Sequence, residues 1–167
     1  EGKKASAKSA WQVMVEYGEN NSTGDSRYFA LFFFSAVVAT LGLITDNVAV
    51  VVGAMIIAPA FGPIAIAAIG IVAGRMDLFR EGLKSEILGI ILAITTAAIL
   101  GFLLPGLEMN ESLRVRMYPT IFDLLLGLAA GAAGGYVLVS GKSSGVVGVM
   151  VAAALVPVMA AIGIGVV

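Results

Sequence analysis

The stretch GAMIIAPAFGPIAIAAIG, residues 53–70, lies inside an uncharged run that begins at Asn47, ends at Gly74 and carries two prolines. Fully helical, the 28 residues of that run would reach ~42 Å at about 1.5 Å per residue, while the hydrocarbon core of a bilayer is only about 30 Å thick. No soluble core requires an apolar element of this length. The run therefore belongs in a membrane, either as one bent helix or as two half-helices that meet at a break. Pro59 and Pro63 each remove a backbone donor and crowd the carbonyl four residues earlier, which places the break near residues 58–63. Carbonyls left without partners around Met55, Pro59 and Gly62 must be met by protein, water or ligand in hydrocarbon. Two readings follow: a backbone-oxygen site for a cation or polar solute, or a kinked helix healed by its neighbours.

Composition agrees with lipid. Of 167 residues, 59% are hydrophobic and only 13% charged, and the mean hydropathy is +1.02, outside the range of soluble domains. The net charge of −1 leaves no positive field, and the lysines and arginines stand at segment ends, which speaks against nucleic acid. The chain has no cysteine and no histidine, so disulfides, thiolate chemistry, the usual zinc sites and histidine-based triads are excluded. No cofactor and no metal site is expected. Asp46 and Asp123 both stand near the ends of apolar runs without the motifs of an intramembrane protease, so an enzyme is not expected either.

Five runs without charge, 28–45, 47–74, 87–104, 124–141 and 143–167, predict an all-α fold: a polytopic integral membrane bundle with proline-broken helices. The expected organisation is a linker over 1–27, with an interfacial helix over 10–17 anchored by Trp11 and Tyr17, and a transmembrane domain over 28–167 with spans near 28–45, 47–74, 85–104, 120–141 and 143–167. The last run ends in GIGVV without a polar flank, so more chain is expected beyond it. If the second run crosses once and the N-terminus is cytoplasmic, eight of the ten positive charges fall on the inner side: Lys3, Lys4, Lys8, Arg27, Arg75, Arg80, Lys84 and Lys142.

An internal similarity pairs VVGAMIIA, from residue 51, with VVGVMVAA, from residue 146, at an offset of 146 − 51 = 95 residues. Each follows a polar turn and precedes a proline, Pro59 in one case and Pro157 in the other. Spans one and two would run opposite to spans four and five, an inverted repeat of the kind found in secondary transporters. Chance similarity in a chain dominated by Ala, Val, Gly and Ile is the alternative.

Three blocks carry a wider resemblance: YFALFFFSAVVATLGLITDNVAVVVGAMIIAPAFGPI, PTIFDLLLGLAAGAAGGYVL and GVMVAAALVPVMAAIGI. They resemble the signature blocks of the prokaryotic hydrophobic membrane family called domain of unknown function 389, over residues 28–167. Where that family carries NSPAVVIGAM and a late double proline, this chain has DNVAVVVGAM and the single Pro157. The resemblance implies a polytopic protein of the prokaryotic inner membrane, often with a soluble domain outside this chain, and no agreed activity.

Several side chains invite a functional reading beside a structural one. Thr45, Asp46 and Asn47 precede the broken run; they cap its helix, or Asp46 guards the mouth of a pathway and Asn47 supplies an amide ligand. Asp123 is an acid within an apolar block, yet Thr120 and Asp123 also match a capping box behind Pro119. Gly127, Gly131 and Gly135 recur every fourth residue and offer a smooth face for helix packing, within the chain or against another subunit of a homo-oligomer. Ser143 or Ser144, behind Lys142, caps the last run. The leading expectation is a transporter- or channel-like protein for an ion or small polar solute, with Asp46, Asn47, Met55, Pro59, Gly62, Pro63, Asp123 and Pro157 along the pathway. The alternative is a membrane scaffold or sensing module whose activity lies in an absent soluble domain. Water access to residues 55–62 separates the two.

Overall fold

The computed structural model describes residues 25–104, 110–118, 120–139 and 145–166, and they contain helices and short turns with no strand among them. The interfacial helix expected over 10–17 and the turn at Lys142, Ser143 and Ser144 lie outside the described residues.

The first helix, α1 (Ser26–Ile44), turns directly into α2 (Val48–Ile57). Three consecutive polar residues build this turn. The Thr45 hydroxyl donates to the Leu41 carbonyl at 2.8 Å, Asp46 takes a left-handed backbone conformation with φ 52°, and the Asn47 side chain accepts from the Val50 N–H at 3.2 Å. Gly42 keeps the two helices close, since a Cβ added there would stand 2.8 Å from the Val51 side chain.

The chain then breaks. Between α2 and α3 (Phe61–Ala73) the axis bends by 53°. Ala58 adopts φ −67° and ψ 124°, the extended conformation favoured for a residue that precedes proline. Pro59 offers no N–H to the Met55 carbonyl, and with Ala58 extended α2 ends before it. Pro63 is tolerated because it sits in the first turn of α3, where the N–H groups have no intrahelical partner in any case.

Gly74 closes α3 in the left-handed conformation at φ 65°, a geometry that favours glycine, while the Arg75 N–H returns to the Gly70 carbonyl at 2.9 Å. The 28-residue helix α4 (Met76–Leu103) follows at once. It passes through Asp77, Arg80, Glu81, Lys84 and Glu86 before the uncharged run starts, and so begins well upstream of that run. Its buried residues, Leu78, Gly82, Ser85, Glu86, Gly89, Ala93, Thr96, Ala97 and Gly101, recur with helical period and form one narrow stripe of mostly small side chains.

Three further helices complete the described chain: α5 (Glu111–Met117), α6 (Ile121–Val139) and α7 (Gly145–Gly165). The helix α7 occupies the centre, packing against α1, α2, α4, α5 and α6, and Phe32, Leu43, Val51 and Val156 are fully buried in the resulting core. Gly163 lets α7 approach α4, where an added Cβ would meet the Ala97 side chain at 2.6 Å. By length and composition, α1 and α4 can each cross a membrane, and the total rises to four spans if each bent pair, α2 with α3 and α5 with α6, is counted as one.

One expectation is corrected. Pro157 does not break its span: α7 runs through it as a single helix with the ring fully buried. A lone proline removes one N–H, leaving the Ala153 carbonyl without that donor, and the surrounding helices hold the rest of the turn in place. The two proline-bearing segments therefore differ in backbone geometry.

Candidate functional site at the broken span

The break brings the C-terminal end of α2 to the N-terminal end of α3. In any helix the last carbonyls and the first amides lack intrahelical partners, so such a junction places unpaired acceptors beside unpaired donors. The last carbonyl of α2 with an intrahelical partner is shared with α1. The Ala54 carbonyl accepts both the Ala58 N–H at 3.2 Å and the Ser35 hydroxyl of α1 at 2.8 Å. Met55 and Pro63 are buried, Pro59 and Gly62 half-buried, and a Cβ added at Gly62 would meet nothing within 4 Å. These four residues of the expected pathway are grouped at the break.

The others are elsewhere. Asp46 and Asn47 stand at the opposite end of α2, ~15 Å away along a ten-residue helix. The Asp46 carboxylate accepts the Ser112 N–H at 3.2 Å, and Asn110 donates to the Leu43 carbonyl at 2.6 Å, so the α1–α2 turn is stitched to the start of α5. Asp123 is exposed and accepts both the N–H of Thr120 at 2.6 Å and its hydroxyl at 2.8 Å, which is the carboxylate half of the expected capping box; the Thr120 hydroxyl donates instead of accepting the Asp123 N–H, which goes to the Thr120 carbonyl. Pro157 lies in the core within α7.

Gly127, Gly131 and Gly135 are exposed, and a Cβ at any of them would meet nothing within 4 Å. Gly134, in the same helix, is buried. The regular glycine face of α6 is therefore open, while close packing of the described helices is made by Gly42, Gly70, Gly82, Gly89 and Gly163 instead. Among the described residues no group of three or more acids that could hold a metal ion occurs.

The residue that sequence reasoning passed over is Glu86. It is 8% exposed, and neither carboxyl oxygen has a hydrogen-bond partner among the described residues. Its position follows from the α3–α4 contacts. Gly70 abuts the backbone of Phe79, and a Cβ at Gly82 would stand 2.7 Å from the Ala67 nitrogen and close to the Pro63 carbonyl. These pairs run α3 antiparallel to α4, and one turn further along α4 brings Glu86 level with the first turn of α3. On the other side, the Tyr28 hydroxyl donates to the Ser85 carbonyl at 3.4 Å and packs against Gly89. The signal was present in the sequence: Leu78, Gly82, Ser85, Gly89 and Ala93 repeat at helical spacing, and Glu86 falls on that stripe while Arg80, Glu81 and Lys84 fall off it.

The family model described as Domain of unknown function (DUF389) matches residues 55–167. The uncharacterized protein MJ0678 of Methanocaldococcus jannaschii is 34% identical over 134 residues, which cover 80% of this chain and 42% of that protein. The chain thus spans less than half the length of this relative. No solved structure matches. With more than half of its length under the family model, and with apolar helices long enough to cross a bilayer, the chain belongs to the DUF389 family of membrane proteins.

Proposed function

We propose that the chain is the membrane part of a transporter- or channel-like protein for an ion or small polar solute in the prokaryotic inner membrane. One observation carries this reading: the 53° break between α2 and α3, where half-helix ends of opposite polarity meet within one apolar segment. Met55, Pro59, Gly62 and Pro63 then line the point of passage through their backbone. The reading includes a cytoplasmic N-terminus, no catalytic activity and no nucleic-acid partner. It also includes a homo-oligomer, favoured by the open glycine face of α6, since small residues at four-residue spacing are used for close helix contact in lipid.

A second reading has its own support. The Ser35 hydroxyl ties α1 to the end of α2 at the Ala54 carbonyl, and Asp46, Asn47 and Asp123 are engaged in caps and turns. A membrane scaffold or sensing module, with its activity in a soluble domain outside this chain, uses the break for packing alone.

Cysteine scanning across residues 46–66 in membranes, with permeant and impermeant thiol reagents, separates the two; the chain has no native cysteine to interfere. Labelling along one face that includes positions 55 and 62 is the outcome expected of a pathway. Uniform protection over 50–63, together with no flux of any candidate solute in sealed vesicles, would sink the transport reading and leave the scaffold.

A further inference from the structure

We propose that Glu86 is a proton-binding site, held as the neutral acid in a slot between α1, α3 and α4. The inference concerns this slot alone and holds whether or not a solute crosses the membrane.

Geometry makes the slot. Gly82, one turn before Glu86, lets the α3 backbone at Pro63 and Ala67 lie directly on α4, and Gly89, one turn after it, admits the Tyr28 hydroxyl and the Phe32 ring of α1. Between these two close approaches the carboxyl group is removed from solvent, with both oxygens unpartnered among the described residues. An ionised carboxylate in that position would lose its water without gaining a counter-charge or a donor, whereas the neutral acid carries no charge to desolvate.

Among the described residues no cation pairs with the carboxyl group, and Arg27 of α1 is exposed. The helices α3 and α7 contain no ionisable side chain, and Tyr28 is the titratable group of α1 that packs beside the slot. Within α4, Arg80, Glu81 and Lys84 are exposed and off the buried stripe. The N-terminal end of α3, level with Glu86, is the positive end of that helix and suits the anionic form once water enters. Proton release is thereby coupled to opening: parting α3 or α1 from α4 hydrates the group and lets it ionise, and closure requires the proton back. Glu86 would make the packing of the broken span sensitive to pH.

The test uses the full chain in lipid vesicles and a hydrophobic carbodiimide, which reacts with neutral carboxylic acids, with labelling quantified by peptide mass spectrometry as pH is varied. Exposed Glu81, on the same helix, is the internal reference. The expected result is several-fold more labelling at Glu86 than at Glu81 under neutral conditions, falling about tenfold per pH unit once the group ionises. Replacing sodium by choline at fixed pH should leave it unchanged. Absence of labelling at Glu86, labelling equal to that of Glu81, or no dependence on pH each overturn the proposal, and protection by sodium reassigns the site to a metal cation. Infrared spectra provide a second arm: a neutral carboxylic acid band at neutral pH, present in the native chain and missing in Glu86→Gln, is expected, and its absence from the native chain is equally fatal. Both native-chain measurements stand even if the variant fails to fold.

Discussion

The segments around Pro59 and Pro157 are close in sequence and different in structure. The first is cut into two helices by a 53° bend, and the second is one continuous helix of 21 residues. The difference lies in how many constraints act together. At the break, Pro59 denies its N–H to α2, its ring biases Ala58 toward the extended region, and Pro63, four residues on, fits without penalty only in a new first turn. At Pro157 a single donor is missing, while Val156 stays helical and buried in the central core. A lone proline is absorbed by packing; a pair at this spacing rewrites the backbone. The inverted-repeat idea therefore needs a symmetry that tolerates a break in one hairpin and not in the other.

The strongest way to break the comparison is to remove both constraints. Pro59→Ala combined with Pro63→Ala should let α2 and α3 merge into one helix, lengthening the distance between spin labels at positions 50 and 72 by roughly 3 Å, given the 53° bend and ~1.5 Å per residue. Pro157→Ala, measured in the same way across α7, should leave its course unchanged. An unaltered bend in the double variant would mean that tertiary packing, not proline, sets the break.

Next in size is the contact that holds α3 against α4. Gly82→Ala drives a methyl group into the Pro63 carbonyl and the Ala67 nitrogen, backbone atoms that cannot rotate away, and should cost about 1–3 kcal/mol in thermal or denaturant unfolding. A smaller effect is expected at the bond between α1 and α2: Ser35→Ala removes the 2.8 Å bond to the Ala54 carbonyl and should destabilise by about 0.6 kcal/mol, the mean for polar contacts between membrane helices. The smallest belongs to α6. Gly131→Ala meets open space and should change the stability of a single chain by less than about 0.5 kcal/mol. If it nevertheless shifts the oligomeric state, the open glycine face is a subunit contact.

These contrasts also show what was legible in the sequence. Membrane character, helical class and the position of the break were readable because they depend on local properties: run length, proline spacing and the conformation favoured before proline. The caps at Asn47 and Asp123 were readable for the same reason, as short-range patterns of Asn, Thr and Asp. Which glycines are used was not. The sequence displays Gly127, Gly131 and Gly135 as the more regular set, yet Gly82, Gly89 and Gly163 make the close contacts, because the choice depends on which helices become neighbours across the bundle. Glu86 was hidden by a boundary. It stands one residue outside the uncharged run 87–104, at the very start of the expected span 85–104, whereas α4 carries its buried stripe straight through that boundary.

The contacts of Asp46, Asn110 and Ser112 have a consequence for how the molecule could be assembled. The first piece of the chain offers the Leu43 carbonyl and the Asp46 carboxylate, and a piece beginning at Asn110 offers the amide and backbone N–H that fit them. Beneath that pair of bonds α7 packs against α1, α2 and α4. A chain supplied as two fragments, divided between residues 104 and 110, thus carries the polar complementarity to set its own register and the apolar surface to keep it.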